Sequence, residues 1–142
     1  MGLAVAQLFI ITTTLSRYGK DHEKFALAEL NRILSESGQQ VEECGLFVDT
    51  DKSFLAASPD GLVGAEAVVE VKCPLKCADS RLDWLAAQDS SFCLQPDPVT
   101  GGLRLKRSHN YHYQVQGQMH VTRRWAIRVG RENQRKTLEL SF

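Results

Sequence analysis

The chain has 142 residues, 43% hydrophobic and 24% charged, with 17 Lys/Arg against 17 Asp/Glu. That length holds one domain with its own core and not two, and the composition is ordinary for a soluble globular protein. A net charge of zero excludes a global pull toward nucleic acid, and no apolar run reaches the ~18 residues of a membrane-spanning helix.

The start, MGLAVAQLFIITTT, is apolar. It lacks a basic n-region and a clear cleavage site, so a signal peptide is the weaker reading, and a cut-off piece of a longer protein's core fits at least as well. YGKDHEKFALAELNRILSESG predicts a helix from about Lys20 to Ser37, closed by Gly38. Its core stripe is Leu27, Leu30 and Leu34, and four residues before Leu27 the same face carries Glu23. Val41 to Asp49 and Ser53 to Ser58 read as strands around a Thr50-Asp51-Lys52 turn. Ala67 to Lys72 is the third strand, and Ser80 to Gln88 a short helix. FCLQPDPVTGGLRLK predicts a hairpin with Pro96 to Gly102 as its loop. NYHYQVQGQMHVT predicts a helix with Tyr111, Gln114/Val115, Gln118 and Thr122 along one side. WAIRV is a last strand. Strands and helices in mixed order predict an α/β domain with a mixed sheet.

Charge is uneven along the chain. Asp21 to Glu70 holds eleven acids and three Lys/Arg; Arg104 to Lys136 holds nine Lys/Arg and one acid. An acidic, cation-attracting centre beside a basic, phosphate-attracting surface fits this split, as do two solvated faces that never meet. The four cysteines, Cys44, Cys73, Cys77 and Cys93, form no dense framework and read as reduced, intracellular thiols.

The third strand raises the chemical question. Side chains alternate along a strand, so Glu70 and Lys72 share one face and Val69 and Val71 the other. Asp60 sits in a Pro-Asp-Gly turn ahead of it, with Gly61 permitting the bend, and a hairpin-like return brings Asp60 beside Glu70. Two converging carboxylates repel unless a cation lies between them. Without that cation, losing either carboxylate is expected to stabilise slightly. Carboxylate oxygens suit Mg²⁺, and a lysine one step along can hold a phosphate or orient a water. The plain structural alternative is a surface Glu70–Lys72 pair and a routine turn aspartate.

Asp60, Glu70 and Lys72 resemble the PD-(D/E)xK nuclease motif. The blocks ASPDGL, EVKCP, YGKDHE and QVQGQMHVTRR together resemble the YqaJ-type viral recombinase, or phage lambda exonuclease, family over about residues 17 to 125. The resemblance implies a single restriction-endonuclease-like α/β core, a mixed central β-sheet flanked by helices. It also implies a shortened N-terminus and divergent ends at 1–16 and 126–142. By position it implies that Asp60, Glu70, the Val71 carbonyl and Glu23 hold Mg²⁺ or Mn²⁺, with two ions. Lys72 then positions or activates the attacking water, and Gln114 is the active-site glutamine. It implies 5′→3′ digestion of linear duplex DNA to 5′-mononucleotides in recombination or repair. DNA ends, a single-strand annealing protein and a homotrimer are the implied partners. With the 5′-phosphate-gripping segment unmatched in FIITTTLS, weak 5′-phosphate preference and low processivity are expected.

Arg104, Lys106, Arg107, Arg123 and Arg124 are candidate DNA contacts, or solvated charges. Cys73 and Cys77 with His109 and His112 can be drawn as a zinc site, but Cys73 belongs to the EVKCP block and favours a structural role. Tyr111, Tyr113 and Trp125 are core residues by spacing, with base stacking as the alternative. A DNA-binding remnant that has lost catalysis is the alternative function.

Overall fold

The structure, a computed structural model, describes residues 9–11, 19–72, 80–124 and 126–128, with side-chain surroundings for 24–72 and 80–124. In chain order the elements are β1 (Phe9–Ile11), α1 (Gly19–Ser35), β2 (Phe47–Val48), β3 (Ala56–Ala57), β4 (Gly61–Val63) and β5 (Ala67–Lys72). They continue with α2 (Leu82–Gln88), β6 (Leu94–Pro96), β7 (Leu103–Leu105), α3 (Asn110–Thr122) and β8 (Ala126–Arg128). The fold is mixed α/β, as the element order predicts. None of the described helices is long and apolar enough to cross a membrane.

β5 is the central strand. β4 pairs with it antiparallel, Gly61 opposite Val69, while β1 and β8 pair with its two halves in parallel. Val68, Val69 and Val71 are fully buried, as a strand covered on both faces requires. Ala26, Leu30 and Leu34 of α1, Val115 of α3 and the β6–β7 residues Leu94 and Leu105 complete the same core.

α1 ends as its sequence predicts. Gly38 takes a left-handed φ of 70°, Gln39 N donates to Leu34 O and Gly38 N to Ser35 O, the two bonds of a Schellman cap. The buried stripe is Ala26, Leu30 and Leu34, with Leu27 only half-buried. Residues spaced by four share one line down a helix, so the expectation for Leu27 shifts by one residue.

The β2–β3 region departs further from expectation. Only two residues pair on each side, because Asp49 opens a wider turn: its Oδ1 accepts from Asp51 N at 2.9 Å and Lys52 N at 2.8 Å. The preceding segment pairs elsewhere, Glu42 exchanging both backbone bonds with Leu62. Gly61 is needed here for space and not for a bend. It lacks a positive φ, but a Cβ on it would collide with Val41 Cγ1. The β6–β7 hairpin forms where predicted, its loop closed by Asp97. Cys44 and Cys93 are free thiols, and burial pushes the Cys93 thiol up to about 12. Tyr113, expected in the core, is 65% exposed.

Candidate active site

The hairpin-like return expected of the Pro-Asp-Gly turn is present. β4 runs back along β5, and Asp60 N donates to Val69 O at 2.9 Å. The Asp60 side chain reaches one residue further, where Oδ2 accepts from Val71 N at 2.5 Å. In an extended strand one residue's N–H and C=O point to the same edge, so the Val71 carbonyl is directed along the Asp60 edge. Val41 and the Glu42–Leu62 bridge hold this turn from outside.

Glu70 is 2% exposed, and among the described residues its carboxylate has three donors. Lys72 Nζ and Gln114 Nε2 both reach Oε1, the glutamine at 2.5 Å. Gln118 Nε2 reaches Oε2 at 2.6 Å. Gln114 and Gln118 lie one turn apart on α3, so both point at β5 from the same side. Lys72 lies 5.3 Å from the centre of the Tyr111 ring, a contact that favours a cation. Burying a carboxylate this deeply is tolerable only with donors of this kind. The Glu70–Lys72 pair is therefore part-buried, unlike the surface pair weighed as the plain alternative.

The site thus gathers Asp60, Glu70, Val71, Lys72 and Gln114 along one half of β5. The line of Ala26, Leu30 and Leu34 continues back by four to position 22, so Glu23 shares the one-residue shift of Leu27, and its side chain lies outside the described residues. Cys73, Cys77 and Trp125 lie outside them too. Among the described residues no group of three or more His, Cys, Asp or Glu converges on one point. The available donors are two carboxylates and a carbonyl, all oxygen. That donor set suits Mg²⁺ or Mn²⁺. His109, drawn above as a zinc ligand, instead caps α3: its Nδ1 accepts from Tyr111 N at 3.1 Å.

The candidate DNA contacts fall in two places. Lys106 Nζ donates to the carbonyls of Ser90 at 2.8 Å and Asp89 at 3.4 Å, tying β7 to the turn after α2. Arg104 and Arg107 are exposed. At the end of α3, Arg123 adopts a left-handed backbone and its guanidinium binds Asp49 and Asp51 at 3.2 and 2.9 Å. His120 Nε2 also lies 3.2 Å from Asp49. The turn N–H groups, Lys52's first, hold the Asp49 carboxyl below the usual range against the opposing effect of burial. Arg124 stacks 5.9 Å from the centre of the Phe47 ring.

Gln118 and the Asp49 cluster were not singled out by sequence reasoning. The signal for Gln118 was present: QVQGQ puts two glutamines four apart on a helix face that also carries Val115. Polar residues on a core-facing stripe imply a buried polar partner.

Compared with known proteins, residues 10–124 match a family model described as the YqaJ-like viral recombinase domain. No curated protein and no solved structure matched the chain.

Proposed function

Because this chain belongs to the YqaJ-like viral recombinase domain family, a family of nuclease-type recombination domains, we propose that it is a cation-dependent DNA exonuclease. In this reading the β5 sheet with α1 and α3 is the core of a restriction-endonuclease-like fold. The substrate is the end of linear duplex DNA, digested 5′→3′ to 5′-mononucleotides. A homotrimer and a single-strand annealing partner belong to the same reading. The observation that carries it is that Asp60 binds the backbone of the same half of β5 on which Glu70 and Lys72 pair, backed by two glutamines.

Asp60, Glu70, the Val71 carbonyl and Glu23 would hold Mg²⁺ or Mn²⁺. When bound, the cation supplies Lewis acidity and a water nucleophile at neutral pH. Lys72 orients the attacking water or donates to the phosphate oxygen as charge builds there. Water oxygen attacks phosphorus, the P–O3′ bond breaks, and the next nucleotide keeps its 5′ phosphate. Gln114, exposed yet bonded to Glu70, would be the active-site glutamine that meets the DNA backbone.

The test is digestion of linear duplex DNA with Mg²⁺ or Mn²⁺, comparing 5′-phosphorylated, 5′-hydroxyl and circular substrates. Cation-dependent loss of linear DNA with mononucleotide release, circles being spared, is the expected result. Cation binding without cleavage would instead select a DNA-binding remnant.

A further inference from the structure

We propose that Gln118 is a positioning residue for the cation, acting through Glu70 and through its own amide oxygen; this rests on the cation-dependent reading above. Gln118 is 3% exposed. Its Nε2 holds Glu70 Oε2, while its Oε1 is buried with no hydrogen-bond partner among the described residues. A buried amide oxygen left without a donor is costly, and native interiors rarely keep one without a reason.

The Glu70 carboxylate supplies that reason. Two carboxylate oxygens offer about four acceptor positions. Lys72 and Gln114 fill two on Oε1, and Gln118 fills one on Oε2. Among the described residues, the position left is on Oε2, the oxygen that Gln118 holds. A divalent cation taking it would bring hydrating waters, and the Gln118 oxygen is the neighbouring acceptor for one of them. The two glutamines therefore divide the work. Gln114 is exposed and shares Oε1 with Lys72; Gln118 is buried and alone holds Oε2 among the described residues. Outer partners that orient a metal ligand and accept from its waters typically contribute 10- to 100-fold in affinity.

The experiment titrates Mn²⁺ into the full chain and reads bound ion by electron paramagnetic resonance, with no DNA present. Glu70→Gln is expected to abolish binding, which identifies the site. Gln118→Met, similar in volume but without an amide, is expected to weaken Mn²⁺ by roughly 10- to 100-fold. Gln114→Met is expected to change it by much less. Cleavage by Gln118→Met should recover at saturating Mn²⁺, a dependence that a purely structural role would not produce. If that variant fails to fold, Mg²⁺ titration of the wild-type protein keeps the test open. The Gln118 side-chain amide signals should then shift with the binding midpoint. Wild-type affinity in folded Gln118→Met, equal losses for both glutamines, or unshifted Gln118 signals would each overturn the inference alone. No Mn²⁺ binding by the wild-type chain would overturn it together with the nuclease reading.

Discussion

The Asp60 carboxylate accepts a hydrogen bond from the backbone N–H of Val71, at 2.5 Å, across the β4–β5 edge. Asp60 therefore completes a ladder that β4 itself stops short of, since strand pairing ends at Gly61 opposite Val69. The turn aspartate is a structural residue of β5 as well as a candidate ligand.

Asp60→Ala should then destabilise the cation-free protein by about 1–3 kcal/mol, the cost of leaving a buried backbone donor unpaired. This reverses the expectation from repulsion alone, under which losing either carboxylate would stabilise slightly. Asp60→Asn keeps an acceptor and should retain most of that stability. Both should lose cation-dependent cleavage. Denaturant unfolding and a digestion assay on the same samples separate the two effects, and an Asp60→Ala protein more stable than wild type would return the site to simple repulsion.

Lys72→Met removes one of three donors from a buried carboxylate. Gln114 and Gln118 remain, and Lys72 is partly exposed, so the cost without cation should be about 1–3 kcal/mol, below that of orphaning a buried ion. Added Mg²⁺ should shrink it. The cleavage rate should fall by roughly 10²–10⁴-fold, and Lys72→Arg should not restore it, because a planar fork cannot replace a point donor. A Lys72→Met protein that melts early yet cuts normally would make the residue structural.

Gly61→Ala should cost about 1–3 kcal/mol by overpacking, since the new methyl group meets Val41 Cγ1. Adding Val41→Ala should recover part of the loss, a coupling readable in a double-mutant cycle. Strict additivity would mean that the two residues do not share that space.

His109 should make the protein acid-sensitive. Burial, and then the Lys106 charge, hold its imidazole below the ordinary value of 6.5. The folded state therefore takes up a proton less readily than the unfolded chain, so stability rises with pH across that range. The contribution is complete above about 6.5 and is lost as pH falls through the lower folded value. Protonation also removes a contact: a protonated Nδ1 no longer accepts from Tyr111 N, and α3 loses its cap. His109→Asn keeps a capping acceptor that does not titrate. Its Tm should fall less than wild type between pH 7 and 5; parallel profiles would sink the assignment.

The sequence by itself determined the elements with the strongest local signals. Ala67–Lys72 and Asn110–Thr122 have the expected limits, and the Gly38 stop and the hairpin around Pro96–Gly102 stand where turn chemistry put them. Asp60, Glu70 and Lys72 were legible as candidates because strand alternation and a Pro-Asp-Gly turn are short-range properties. Tertiary structure alone decided the rest. β4 is three residues long, too short for any periodicity to mark it, and exists because β5 and Glu42 both offer it backbone partners. Gln118 became part of the site because a buried carboxylate 48 residues earlier needed a donor, and no local pattern encodes a partner at that separation. Asp49 and Arg123 likewise meet only after α3 packs beside the β2–β3 turn. Local propensity writes strands, helices and turns into the chain; the pairing of buried polar groups is set when the chain closes, because only then does desolvation make each unpaired donor and acceptor costly.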